Sequence, residues 1–167
     1  NFIASDNQDR IFVGSSFSGN GVIYRSSDNG NNWTLCTPSL YTTTFGSIAF
    51  TSSGKMFAGA SGVFRSVDGG NNWLDMGTGM DAPRSIFCFK SARNGTLFVG
   101  TKIGPWRSLD HGQTWQQKNA GVSHLNVLQI TENAVGDIIF HGYNSVPKAA
   151  IYRSVNNGDS WTQVAAN

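Results

Sequence analysis

The chain has 167 residues, of which only 13% are charged, and its formal net charge is +2. Globular domains usually carry about 25% charged residues; the lysines and arginines here form no basic stripe, which argues against nucleic-acid binding. Apolar runs are too short for a membrane span, whereas 39% hydrophobic residues, with 11 Phe and 5 Trp, argue against disorder.

The composition favours an all-β domain, because 20 glycines and many Ser, Thr and Asn residues suit short strands joined by turns. The two cysteines, Cys36 and Cys88, are predicted to be small buried thiols, with a disulfide as the alternative. Low charge and few cysteines fit an exported protein, so we expect a secreted or periplasmic location. The chain begins at Asn1 rather than methionine, which suggests a processed product or a piece of a longer protein.

One pattern occurs four times along the chain, in residues 24–33, 64–73, 106–115 and 152–161. Each copy reads aromatic, Arg, Ser, any residue, Asp or Asn, any residue, Gly, any two residues and Trp. The arginines Arg25, Arg65, Arg107 and Arg153 are 40, 42 and 46 residues apart. This fixed register indicates a repeated structural unit.

The segments around the pattern repeat as well. Each copy opens with an apolar segment, strand A, at 1–5, 47–50, 86–89 and 126–130. A polar turn follows, then strand B, which ends in glycine, at 11–14, 56–59, 97–100 and 138–142. Strand C carries the Arg and Ser of the pattern, and strand D is predicted to begin at the Trp. Four short strands about every 40 residues predict propeller blades, with bounds of about 1–40, 41–80, 81–120 and 121–167 in one repeat domain, 1–167.

The core of the pattern, Ser-x-Asp-x-Gly-x-x-Trp, resembles the Asp box of the BNR-repeat families, which include sialidases, xyloglucan-cleaving glycosidases, sortilin-type receptors and photosystem assembly factors. The resemblance covers the whole chain and implies an all-β fold: a β-propeller or propeller segment with four blades of four antiparallel strands. These families share only the architecture, so no single function follows. The structural Asp-box positions are Ser26, Asp28, Gly30, Trp33, Ser66, Asp68, Gly70, Trp73, Ser108, Asp110, Gly112, Trp115, Ser154, Asn156, Gly158 and Trp161.

The box residues suit a tight turn between strands C and D. The Asp or Asn oxygen is expected to accept hydrogen bonds from N–H groups two or three residues on, the Gly to supply a positive φ, and the Ser to bridge the hairpin. The Trp ring is expected to bury against strand C or the next blade. A calcium loop is the alternative, but it needs further acidic ligands and a closing Glu. We therefore expect no metal and no cofactor.

In such a blade the A–B and C–D turns share one end, the box face, and the B–C and D–A loops share the other, the loop face. The copies differ most on the loop face, whose aromatic side chains can stack on a sugar or anchor a partner side chain. The candidate ligand-binding residues there are Tyr41, Arg84, His124 and Tyr143, with a glycan or a protein as the partner. The alternative is that these loops only cap the propeller.

A complete catalytic set is not expected, so no catalytic residue is assigned. The sialidase resemblance implies three arginines with a Tyr/Glu pair and an acid, yet the only Glu, Glu132, falls near an A–B turn, and only Arg84 is well placed. Asp81 lacks the second loop-face carboxylate that a glycosidase needs. We predict a non-catalytic binding module; a fragment of a secreted glycoside hydrolase and an assembly scaffold are the alternatives.

The chain starts with an A strand and ends with a D strand, so no blade is shared between its two ends. Four blades closing on themselves, a segment of a larger propeller, and two chains pairing into one eight-bladed ring all fit this order. The segment is favoured.

Overall fold

The structure, a computed structural model, describes residues 1–17, 20–36, 45–80, 85–122, 126–143 and 149–166. Within these ranges it is all-β, with four antiparallel four-stranded sheets, which confirms the predicted fold class. The described residues include no helix that could cross a membrane. The strands are β1 (Phe2–Ser5), β2 (Ile11–Phe17), β3 (Asn20–Ser26) and β4 (Thr34–Leu35) in the first blade; β5 (Ser47–Phe50), β6 (Met56–Gly59), β7 (Val63–Ser66) and β8 (Leu74–Asp75) in the second; β9 (Ile86–Ser91), β10 (Leu97–Thr101), β11 (Gly104–Ser108) and β12 (Gln116–Gln117) in the third; and β13 (Asn126–Glu132), β14 (Ile138–Tyr143), β15 (Ala149–Ser154) and β16 (Thr162–Ala166) in the fourth.

Every blade is a simple meander, in which the order of the strands in the sheet follows the chain. In the first blade Ser5 pairs with Ile11, and Ile11 pairs with Ser26. The turn after β1 and the Asp-box turn after β3 therefore lie at the same end of the sheet. The connections that form the loop face leave from the opposite end.

Strand D does not begin at the box Trp, as the sequence predicted, but one residue later, as at Thr34 and Thr162. Two blades show the reason. The backbone N–H of Trp115 donates to the Thr78 carbonyl, and that of Trp161 donates to the Ala120 carbonyl, each in the preceding repeat. The Trp N–H that would form the first hydrogen bond between strands C and D therefore bonds to the preceding repeat instead. Strand β2 also differs, since it continues past Gly14 to Phe17.

The hydrophobic core lies between the blades, in three separate clusters. The first joins Phe12, Ile23 and Cys36 of the first blade to Met56 and Trp73 of the second. The second cluster joins the second and third blades, and the third cluster joins the third and fourth. Stacking of neighbouring sheets, rather than any one sheet, therefore buries the apolar side chains.

The four blades do not close into a ring within the described residues. The first strands pack in series, β1 on β5, β5 on β9 and β9 on β13. No core cluster of the described residues joins the fourth blade to the first. Four blades closing on themselves are therefore not observed within these residues, and the open array is consistent with a segment of a propeller.

Cys36 and Cys88 are both free and buried, in different core clusters. Burial raises the pKa of both thiols, that of Cys88 to about 12. They act as small apolar side chains, and the disulfide alternative is not present.

Candidate functional site

The four Asp-box turns share one arrangement of hydrogen bonds around the serine. The Ser hydroxyl lies 2.7–2.8 Å from the Oδ1 atom of the Asp or Asn two residues on, in all four copies. The same hydroxyl accepts the N–H of the box Gly at 2.8–2.9 Å. One small side chain thus fixes both sides of the reversal.

The acidic or amide side chain closes the turn further along the chain than the sequence predicted. Its Oδ1 atom accepts the N–H of the fourth residue on, at 2.8–3.0 Å, in every copy. The sequence predicted the second and third residues on, and the third does contribute a backbone hydrogen bond that lowers the pKa of the three box Asp residues. The shortest contact falls on the fourth residue because two consecutive residues have positive φ, for example Asn29 (59°) and Gly30 (88°). These two left-handed residues widen the loop. The Ser hydroxyl accepts the earlier N–H groups, such as those of Asp28 and Gly30.

These bonds keep the box carboxylates ionised. The backbone and side-chain N–H groups of Asn72 lower the pKa of Asp68 to about 2. Burial acts to raise the pKa of Asp110, but hydrogen bonds from Thr114 outweigh it and the pKa falls to about 2. Groups held in this way are poor general acids, since a general acid needs a pKa near the working pH.

The fourth box forms the same turn with an amide. Asn156 accepts from the backbone of Ser160 and donates its Nδ2–H to the Ser160 hydroxyl. The turn therefore does not depend on a negative charge, as a calcium loop would. The described residues contain no group of three or more His, Cys, Asp or Glu side chains that could hold a metal.

The box Trp residues of the last three blades contact the preceding blade, not the next blade that the sequence offered as one alternative. Trp73 donates its Nε1–H to the Cys36 carbonyl at 2.7 Å, and Trp115 and Trp161 donate to Met76 and Lys118 at 2.8 and 2.9 Å. Trp33 is exposed instead and donates to Gly30 of its own turn. The box thus joins blades as well as strands.

The box arginines reach the following blade. Arg25 donates to the Gly69 carbonyl at 2.7 Å, and Arg107 donates to the Asn157 carbonyl at 2.6 Å. Each acceptor is the residue before the box Gly of the next copy. Recurrence of the Arg in the repeat indicated a structural role, but a repeated pattern does not reveal which neighbouring blade a side chain meets.

Three further described acids, Glu132, Asp137 and Asp159, are also engaged in structural bonds. Glu132 accepts the N–H of Arg93 at 3.0 Å and pairs with Lys90 at 3.7 Å. Asp137 accepts two bonds from Arg153, and Asp159 pairs with Arg107 and Lys118. Hydrogen bonds from Asn133 and Arg153 lower the pKa of Asp137, and those from Lys118 and Arg107 lower that of Asp159.

On the loop face the structure describes one of the four candidate residues. Tyr143 ends β14 and is exposed, where that strand leads into the B–C connection of the fourth blade. Asn126, on the neighbouring strand, donates to its carbonyl at 3.5 Å. Tyr41, Arg84 and His124 lie outside the described residues.

No family model and no curated protein matches the sequence. Solved propeller structures match the fold. A GH74 xyloglucanase from Xanthomonas campestris aligns with a TM-score of 0.78 and 14% identity over 94% of this chain and 29% of its own. YCF48 bound to D1 peptide aligns with a TM-score of 0.66 and 17% identity over 96% of this chain and 50% of its own. The extracellular domain of BT4673 from B. thetaiotaomicron aligns with a TM-score of 0.69 and 13% identity over 99% of this chain and 28% of its own.

At these identities the likenesses establish the fold alone. The chain spans about a third or less of the xyloglucanase and the extracellular domain, and half of YCF48. It therefore corresponds to a propeller module or to part of a longer propeller.

Proposed function

We propose that this chain is a non-catalytic Asp-box propeller module that binds a glycan or a protein segment through its loop face. The observation that carries the proposal is the use of seven of the nine described acids, which hold turns and ion pairs on the box face and between blades. Six of them have a lowered pKa: Asp6, Asp28, Asp68, Asp110, Asp137 and Asp159. Hydrolysis of a glycoside needs a carboxyl group with a raised pKa to act as the acid.

The loop face is the surface left for recognition, because the box face is occupied by the four turns and their hydrogen bonds. Tyr143 offers an exposed aromatic ring at its edge. Tyr41, Arg84 and His124 are proposed to complete the site, since the loops that carry them differ most between copies. An aromatic ring can stack on a sugar or anchor a peptide side chain. YCF48 bound to D1 peptide supports the protein alternative by fold analogy.

A second candidate is a segment of a longer glycoside hydrolase. The likeness to the GH74 xyloglucanase favours it, since this chain spans 29% of that enzyme. In this case the acid and base would be supplied by other blades. An extracellular location fits both candidates, and the likeness to the extracellular domain of BT4673 supports it.

The test is a binding screen of the 167-residue chain on glycan and peptide arrays, with a reducing-sugar assay on xyloglucan beside it. Tyr41→Ala and Tyr143→Ala should each weaken binding of the recovered ligand by tenfold or more, because each removes a ring from the loop face. Leu109→Ala is the matched control, since Leu109 is an exposed apolar side chain in a box turn. Release of reducing sugar, or lost binding only in the Leu109 variant, would overturn the proposal.

A further inference from the structure

One of the four box arginines has no hydrogen-bond acceptor within the described part of the chain. Arg25 and Arg107 each donate to a carbonyl of the next blade, and Arg153 donates to the Asp137 carboxylate. Arg65 has no such bond among the described residues, and its Nε atom is buried without a partner. The Arg65 side chain is nevertheless partly exposed. The second blade therefore holds a cation that no described acceptor neutralises.

The box of the third blade lacks the group that would pair with Arg65. In the third blade itself, Arg107 makes a second contact, with the Asp159 carboxylate at 2.9 Å. Asp159 follows the box Gly of the fourth blade, and the residue at the same position of the third blade is Gln113, which has no charge. The box that follows Arg65 thus offers it no carboxylate.

Two exposed aliphatic side chains flank Arg65. Leu74 lies directly opposite Arg65 in the pairing of β7 with β8, and directly opposite residues share a face of the sheet. Val67 comes two residues after Arg65, in the box turn. Leu74 is 58% and Val67 is 66% exposed. We call the surface formed by Arg65, Val67 and Leu74 the flank groove.

The third and fourth blades show that these positions form a concave surface. The third-blade equivalents are Arg107, Leu109 and Gln116, which line a concavity of about 120 Å³. The fourth-blade equivalents line one of about 200 Å³. The repeat register places another copy of this concavity at the flank groove, where Leu74 stands in place of Gln116. The flank groove is therefore more apolar than its third-blade copy.

The box carboxylate of the same turn is committed to other donors. Asp68 accepts from the Ser66 hydroxyl and from the backbone and side chain of Asn72. An Arg guanidinium presents parallel N–H groups that match the two oxygens of a carboxylate. A ligand suited to the flank groove therefore carries a carboxylate with aliphatic groups beside it.

We propose that the flank groove binds an acidic segment of a partner protein. A Glu or Asp carboxylate of the segment accepts from Arg65, and aliphatic side chains next to it in the partner pack on Val67 and Leu74. Charge complementarity selects the carboxylate, and the two aliphatic walls select a peptide over a bare anion. The blades on both sides of the groove, the second and the third, are both in this chain, so the site is complete whatever packs on the first and fourth blades.

The test is an NMR titration of the 167-residue chain with three probes. They are the terminally blocked tripeptide Leu-Glu-Leu, its Leu-Gln-Leu counterpart, and acetate. The signals followed are the Nε–H of Arg65 and the backbone N–H groups of Val67 and Leu74. The glutamate peptide should shift them saturably. The glutamine peptide, which lacks the charge, and acetate, which lacks the aliphatic groups, should each bind weaker by about tenfold or more.

Variants separate the two parts of the groove. Arg65→Gln removes no described hydrogen bond of the fold, and it should weaken binding of the glutamate peptide by about tenfold or more. Leu74→Gln copies the third blade and should weaken binding by about fivefold. Leu109→Ala is the matched control, because it shortens the side chain equivalent to Val67 beside an arginine that is already bonded, and it should leave binding unchanged. Circular dichroism checks that each variant folds.

Four results would overturn the proposal: no saturable shift with the glutamate peptide, equal binding of the two peptides, acetate that binds as tightly as the glutamate peptide, or binding that Leu74→Gln leaves unchanged. Tyr143→Ala changes the loop face and not the flank groove, so it should have no effect on this titration. The flank groove and the loop-face site can therefore fail independently of each other.

Discussion

At the scale of single residues, each Asp-box turn depends on one Ser hydroxyl and on one Asp carboxylate or Asn amide, and the hydrogen bonds of both groups within the turn are local. Asp110 accepts from the backbone and the hydroxyl of Thr114 and from Ser108. Asn156 repeats these contacts without a charge, with its amide donating to Ser160. The two turns therefore form a natural comparison of a titrating and a non-titrating box.

Acid should weaken the box turns that carry Asp. The pKa of Asp110 is about 2 in the folded chain, below its usual 3.8, so its stabilising effect is complete above about pH 4 and is lost as the pH falls towards 2. Asp110→Asn copies the fourth box and cannot titrate. In urea unfolding, the free energy of unfolding of this variant should fall less than that of the wild type between about pH 5 and pH 2. Equal losses in both proteins would contradict the assignment.

The thiols should be unreactive in the folded chain. Burial raises the pKa of Cys88 to about 12 and also raises that of Cys36, and the thiolate is the nucleophile. Labelling with a thiol reagent at pH 8 should modify neither cysteine until denaturant is added, and then both. Rapid labelling of Cys88 under native conditions would show that its core cluster opens.

At the scale of elements, the turns specify how neighbouring blades meet. Trp73 reaches back to Cys36, whereas Arg25 reaches forward to Gly69. The repeat register predicted the strands and the box turns because hydrophobic spacing and turn residues are local signals. It could not predict these contacts, since identical copies do not say which neighbour a side chain meets. Trp33 shows what the repeat cannot predict. Its box matches the others in sequence, yet its ring is exposed because no described blade packs on that side of the first blade.

Removing a box carboxylate should lower stability without changing the fold. Asp68→Ala removes the bonds to Asn72 and Ser66, and the loss should be about 0.5–2 kcal/mol, the scale of losing a side-chain cap. Val67→Ala, in the same turn and exposed, should change stability by less than about 0.5 kcal/mol. Equilibrium denaturation measures both. An unchanged midpoint for Asp68→Ala together with lost ligand binding would reverse the roles assigned to the two faces.

The box glycines of the second, third and fourth blades should tolerate a side chain less well than that of the first blade. A Cβ at Gly158 would lie 2.6 Å from Phe98 of the preceding blade, whereas a Cβ at Gly30 would lie 3.8 Å from the nearest described side chain, that of Trp33. The φ values are +83° and +88°, so an Ala at either position would have the same backbone strain, about 1–2 kcal/mol. Gly158→Ala should cost about 1–3 kcal/mol more than Gly30→Ala. Equal melting temperatures would show that the interface relaxes freely.

At the scale of the whole molecule, four blades stack in series and leave two different ends. The box face is occupied by turns that every copy shares. The loop face is where the copies differ, and it holds the proposed site. The sequence could suggest that face from loop variation, but it could not identify a ligand, because Tyr41, Arg84, His124 and Tyr143 form no motif whose chemistry requires one partner.

The most direct test of a non-catalytic loop-face module is hydrogen–deuterium exchange of the chain with and without the ligand recovered from the arrays. Peptides covering residues 37–44, 81–84, 123–125 and 144–148 should gain protection, and the ligand should be recovered uncleaved. Protection confined to the four Asp-box turns, or a cleaved ligand, would contradict the account.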